Sequence, residues 1–140
     1  FFRNLEMRGC IGMKKDFLPS ETEWQLMEVL WESGSSLSSL EIIHRINQKR
    51  KMSPRTARVL LNRLKQKGMV DFTIDEKDSR IYHYFPKRTR EECRQEKSRQ
   101  FAESYFAGSQ TGVLVSLAES FDLSEKQIDA LRKVLDGESE

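Results

Sequence analysis

Cysteine is almost absent from this 140-residue chain, which carries only Cys10 and Cys93. Two thiols so far apart make neither a disulfide framework nor a metal cluster, which favours a reducing compartment and argues against structural zinc. Histidine is as scarce, with His44 and His83 alone, and no HExxH, GxSxG, CxxC or glycine-rich phosphate loop occurs. The expectation is therefore a non-enzyme with no catalytic residues, no metal and no cofactor. No apolar run approaches the roughly 18 residues of a membrane span, and no signal-peptide pattern is present. Membrane insertion and secretion are disfavoured, and a cytoplasmic location is expected. Hydrophobic residues make up 37% and charged residues 33%. This is wet for a globular chain, but the apolar residues recur at regular spacing, which argues against disorder.

Acid is missing from one stretch. From Arg45 to Lys67 there are nine Lys and Arg and no Asp or Glu, although the whole chain has a net charge of only +2. From Leu117 to Glu140 the balance reverses, with seven acids against three bases. Such asymmetry suggests that one segment meets a polyanion and another does not.

The first twelve residues show no clean period and precede Met13-Lys14-Lys15, so they read as a leader, Cys10 included. Ser20 and Glu23 form a capping box that starts a first helix, with Trp24, Met27, Leu30 and Trp31 as its apolar stripe and Gly34 as its stop. Ser38 and Glu41 start a second, whose stripe reads Leu40, Ile43 and Ile46. The third has the sharpest limits: Ser53 as N-cap, Pro54 at the first helical position and Gly68 after its end. Ala57, Leu60, Leu61 and Leu64 make its buried stripe. Its other face reads Arg55, Thr56, Arg58, Val59, Asn62, Arg63 and Lys65.

After Gly68 the period changes to two. Met69 to Ile74 and Arg80 to Phe85 read as strands joined by the polar turn Asp75–Ser79, with Pro86 closing the hairpin. Tyr82 and Tyr84 point to one face, and Ile81, His83 and Phe85 to the other. Three short helices and a hairpin, with cations concentrated on the third helix, follow the order of a winged helix-turn-helix. Helix returns from about Thr89 to Phe106, breaks at Gly108, resumes around Thr111 to Ser120, and ends in a segment capped by Ser124 and Gln127. These last segments have too few apolar residues to form a core alone, so a second copy of the chain is expected to cover them. The residues expected at that homodimer surface are Phe101, Tyr105, Phe106, Leu114, Leu117, Phe121, Ile128, Leu131 and Leu135. The fold class is thus mainly α with a small β-hairpin wing. A winged-helix DNA-binding domain over 13–86 precedes a helical dimerisation domain over 87–140.

Binding to double-stranded DNA has a full mechanism in these residues. Arginine donates bidentately to guanine in the major groove, and short polar groups or methyls meet thymine. Arg55, Thr56, Arg58 and Arg63 are the base-reading candidates. Ser53, Asn62 and Lys65 are placed to meet phosphate, which positions without reading sequence. Lys77 and Arg80 in the wing, with Lys49 to Lys51 ahead of the third helix, would add salt-dependent affinity. Cys93 reads as an ordinary cysteine rather than a redox sensor.

Taken together, TEWQLMEVLW, SPRTARVLLNRLKQKGMV, RIYHYFP and LSEKQIDALRKVLD resemble the penicillinase-repressor family, the BlaI/MecI/CopY type, over Leu18 to Leu135. The resemblance implies a homodimeric transcriptional repressor that binds palindromic operators with TACA/TGTA half-sites, as in β-lactam-resistance operons. The family's DNA contacts fall on Arg55, Thr56, Arg58 and Arg63. Family members of the β-lactam-responsive kind are cut by a sensor protease at an Asn–Phe bond, and the matching bond here is Gln100–Phe101. Copper-responsive members end in paired CxC motifs, whereas this chain ends in DGESE. A repressor of the same fold that answers to copper or to a small ligand, without its own CxC motif, is the alternative.

Overall fold

Hydroxyl side chains set the helix starts in this protein. The computed structural model describes residues 17–137; the leader, Cys10 and the last three residues lie outside the described range. Ser20, Ser38 and Ser53 each accept a hydrogen bond from the backbone N–H three residues on, which caps helices α1 (Glu21–Ser33), α2 (Ser39–Ile46) and α3 (Pro54–Gln66). Glu23 and Glu41 reach back to the cap N–H and complete two capping boxes. Thr89 and Glu92 exchange the same two bonds at the start of α4 (Arg90–Tyr105). Ser109 and Ser124 cap α5 (Gln110–Ser120) and α6 (Glu125–Leu135).

The three first helices bury one continuous core. Leu26, Met27 and Leu30 of α1, Ile42 and Ile46 of α2, and Leu61 and Leu64 of α3 are almost fully enclosed, and Met69 and Val70 join them. At about 1.5–3 kcal/mol per buried large aliphatic side chain, this cluster is the main stabilising element of the unit. Two stripes differ from the sequence reading. In α2, Leu40 is 69% exposed while Ile42 is buried; at 100° per residue Leu40 lies well off the line shared by Ile42, Ile43 and Ile46. In α1, Leu26 and Val29 fill the core, and Trp24 and Trp31 stack edge-on at 5.6 Å at its margin.

Gly68, at φ +81°, turns the chain out of α3 into the sheet, in a left-handed conformation that a side chain would strain. The sheet has three antiparallel strands in the order β1-β3-β2. The hairpin pairs β2 (Val70–Ile74) with β3 (Tyr82–Pro86), with Phe72 opposite Tyr84. A two-residue strand β1 (Leu37–Ser38), absent from the sequence reading, adds to β3 through Leu37 opposite Tyr84. Pro86 is the last residue of β3, opposite Val70, rather than a residue beyond it; a strand end tolerates its missing N–H.

The described chain divides into two compact units, one ending at Lys97 and the other starting at Ser98. The division lies inside α4, beyond the 86/87 boundary read from the sequence, because the first turns of α4 are fastened to the first unit. Cys93 is fully buried in its core, the Trp31 indole N–H donates to the Arg88 carbonyl at 2.8 Å, and Arg90 donates twice to Glu28 at 2.7 and 3.1 Å. In the second unit, Ala107 and Gly108 take positive φ and break the helix. Neither α5 nor α6 has a buried residue. Among the described residues no helix is long and apolar enough to cross a membrane.

Candidate nucleic-acid interface

Helix α3 carries the concentration of cations, and its packing decides which of them face water. Ala57, Leu60, Leu61 and Leu64 are buried, so the opposite side is presented outward. At 100° per residue, the line opposite the buried stripe runs through Arg55, Val59, Asn62 and Gln66, with Arg58 and Arg63 flanking it; all six are exposed. The three arginines have no carboxylate partner among the described residues. Their guanidinium groups can therefore donate outward without first breaking an ion pair.

The other cations read from the sequence divide by what they touch. Lys65 lies 3.4 Å from Asp71 and 5.4 Å from the centre of the Phe72 ring, so it links α3 to β2. Lys67 turns inward and donates to Glu23 at 2.6 Å. Lys49 pairs with Glu32 at 2.9 Å, while Arg50 and Lys51 are exposed. Ser53 is committed to its cap: its Oγ accepts from the Thr56 N–H and its hydroxyl donates to Thr56 Oγ1 at 2.9 Å. Thr56 is thereby held at the helix start.

The wing is acidic on balance, and the charges at its tip pair with one another. From Val70 to Pro86 it has four acids, Asp71, Asp75, Glu76 and Asp78, against Lys77 and Arg80. Arg80 forks onto Asp78 through two bonds of 2.9 Å, which holds the Asp78 carboxyl below its ordinary range. Asp75 is held low chiefly by its 2.9 Å hydrogen bond with His83, then by the N–H groups of Lys77 and Asp78, which it accepts to close the turn. His83 is thus a strut of the turn. Lys77 stands exposed at the tip. Phe72 stacks on Tyr82 at 4.2 Å and meets Tyr84 edge-on at 5.6 Å, a ladder that stiffens the hairpin.

His44 lies exposed on α2 with the Gln48 side chain at 3.3 Å. Burial pushes the Cys93 thiol up to about 11, the opposite of an activated cysteine. Among the described residues, no group of three or more His, Cys, Asp or Glu could hold a metal ion. The arrangement suits the presentation of a cationic helix to a polyanion. One member of its central line, Gln66, was missing from the outward face read from the sequence. The signal was available in the 100° step away from the buried stripe.

The sequence pattern of the penicillinase repressor family matches residues 19–137. The methicillin resistance regulatory protein MecI of Mammaliicoccus sciuri is 30% identical over 121 residues, 86% of this chain and 95% of that protein. The penicillinase repressor of Bacillus licheniformis is 27% identical over 124 residues, 89% of this chain and 94% of that protein. A solution structure of the DNA-binding domain of the repressor BlaI shares 28% identity, covers 51% of this chain and 82% of its own, and superposes with a TM-score of 0.45. With its winged-helix unit, its open cationic helix and a family match that spans nearly the whole described chain, the protein belongs to the penicillinase repressor family of DNA-binding transcriptional repressors.

Proposed function

We propose that this chain is a cytoplasmic homodimer that binds a palindromic operator with TACA/TGTA half-sites and represses transcription by covering the promoter. The observation that carries the reading is the outward face of α3, where Arg55, Arg58 and Arg63 stand exposed without carboxylate partners among the described residues. In a dimer, two such helices enter successive major grooves about one turn, roughly 34 Å, apart. Arg55, Arg58 and Arg63 donate to base edges, and Asn62, Lys65 and Lys77 meet phosphate. Arg80 contributes less, because its charge is already matched by Asp78.

Dimerisation is supported by the apolar surface of the second unit. Tyr105 is 75% exposed, and Phe101, Leu114, Leu117, Phe121, Leu131 and Leu135 are also open; Phe106 and Ile128 are half-buried. A second copy laid over these residues would remove them from water, which is favourable at about 25 cal/mol per Å².

Derepression is proposed to follow hydrolysis of Gln100–Phe101 by a sensor protease when a β-lactam is present. The bond lies inside α4, and Phe101 packs beside Tyr105 and Phe106 at 5.3 and 5.7 Å. Cleavage would detach those rings and all of α5 and α6 from the DNA-binding unit, leaving half-sites to be bound singly.

A salt titration against a TACA…TGTA duplex beside a scrambled duplex tests the reading. The expected result is strong preference for the palindrome with a steep salt slope on both. Equal affinity for the two duplexes would remove the half-site, and absence of DNA binding would remove the whole proposal.

A further inference from the structure

The outward face of α3 has an apolar centre. Val59 is 44% exposed at the middle of the helix, while Arg55, Asn62 and Gln66, which share its line, are polar. A single exposed valine needs no account in itself, since such residues are common on protein surfaces. The position is what calls for one. Val59 stands among three guanidinium groups on the face that meets DNA, and a β-branched side chain there gains nothing from helix propensity. Thr56, the other exposed methyl-bearing side chain of the helix, lies toward the flank and is tied to Ser53.

In the major groove the one apolar feature offered by a base pair is the C5-methyl of thymine. We propose that Val59 is a specificity-determining residue whose isopropyl group packs against a thymine methyl in each half-site, while the neighbouring arginines supply hydrogen bonds and charge. The inference rests on the reading of α3 as the helix that enters the groove. The same contact rejects cytosine at that position. Cytosine lacks the methyl and forfeits the apolar contact.

The test replaces each thymine of the TACA…TGTA duplex in turn by deoxyuridine, symmetrically in both half-sites. This removes the methyl and leaves the hydrogen-bonding edge intact. One position is expected to weaken the full-length protein by about fourfold per half-site, the worth of one buried methyl. Val59→Ala is expected to lose a similar factor on the thymine duplex and nothing more at that deoxyuridine position. Val59→Thr, which keeps one methyl, should fall between. Because Val59 is exposed, unchanged unfolding midpoints will show that each variant is folded. Insensitivity of the natural chain to every deoxyuridine, or full sensitivity retained by Val59→Ala, would overturn this contact while leaving the operator reading intact. No preference for the palindrome over a scrambled duplex would overturn both.

Discussion

The Lys67 ammonium lies 2.6 Å from the Glu23 carboxylate, and the same carboxylate accepts the Ser20 N–H at 2.9 Å. One acidic side chain thus closes the first turn of α1 and holds the last residue before Gly68. Lys67 also donates to the Leu18 carbonyl at 3.1 Å. The end of the cationic helix α3 is thereby fastened to the beginning of the fold. Glu23 is the one buried charged residue among those described, at 2% exposure.

Lys67→Met should therefore be costly, since it leaves a buried carboxylate without its cation. Removing one partner of a fully buried pair costs roughly 3–5 kcal/mol. The Lys67 side chain keeps 25% of its surface exposed, so about 2–3 kcal/mol is expected here, read as a lower urea midpoint. Adding Glu23→Gln to Lys67→Met should recover part of the loss, because the amide oxygen can still cap Ser20. A loss below about 0.5 kcal/mol would show that water reaches Glu23 once the lysine is gone, in keeping with the small worth of solvated pairs.

What could be read in the sequence was what is local. The caps at Ser20, Ser38, Ser53 and Ser124 depend on residues three apart, and each forms as its spacing says. The buried stripe of α3 was equally legible, because four apolar residues in a polar helix leave one solution. The strand β1 was not, since two residues have no period and Leu37 is a strand only because Tyr84 lies opposite. The inward turn of Lys67 and the link from Lys65 to Asp71 were hidden for the same reason. Both depend on where another element packs, so a cation count alone overstated the charge available to DNA.

Cys93 should be unreactive in the folded protein. Its thiol is fully enclosed, faces Met69 Sδ at 3.9 Å, and is pushed by burial up to about 11. Peptide mapping after iodoacetamide treatment is expected to find Cys93 modified only when denaturant is present. The pH dependence has a definite sign. Above the unfolded thiol's pKa of roughly 8.5, the unfolded chain releases a proton that the folded chain keeps until about 11. Stability contributed by this site is therefore lost as pH rises through that window. Cys93→Ala should remove that part of the slope. Rapid alkylation under native conditions would contradict the burial.

Arg58→Ala should cost about 1–3 kcal/mol on the palindrome and much less on random DNA, as expected for a base contact. Equal losses on both would make Arg58 a phosphate contact. In the wing, Lys77→Gln should weaken binding to all sequences and lower the salt slope by about 1. The paired change Asp78→Asn with Arg80→Gln keeps the net charge and removes a fork already closed on itself. It should leave the slope where it was. A slope reduced by that pair would mean that Arg80 leaves Asp78 for a phosphate in the complex.

The second unit should fail in a different way. Leu131 and Leu135 are 41% and 64% exposed on α6, one turn apart on the same side of the helix. Replacing both by glutamine removes apolar surface while keeping a good helix former. Neither side chain is buried within its own chain, so the helical signal and the unfolding of the first unit should change little. If these leucines lie between two copies, sedimentation should shift from dimer to monomer. Affinity for the palindrome should fall by about 100-fold or more, because tethered half-site contacts gain roughly 10²–10⁴ from effective concentration. Affinity for a duplex with one half-site should stay as it was. That contrast separates loss of tethering from damage to the proposed DNA-binding face, since damage at α3 would weaken both duplexes together. A double variant that still sediments as a dimer would move the interface away from this side of α6, toward the aromatic residues Phe101 and Tyr105 of α4.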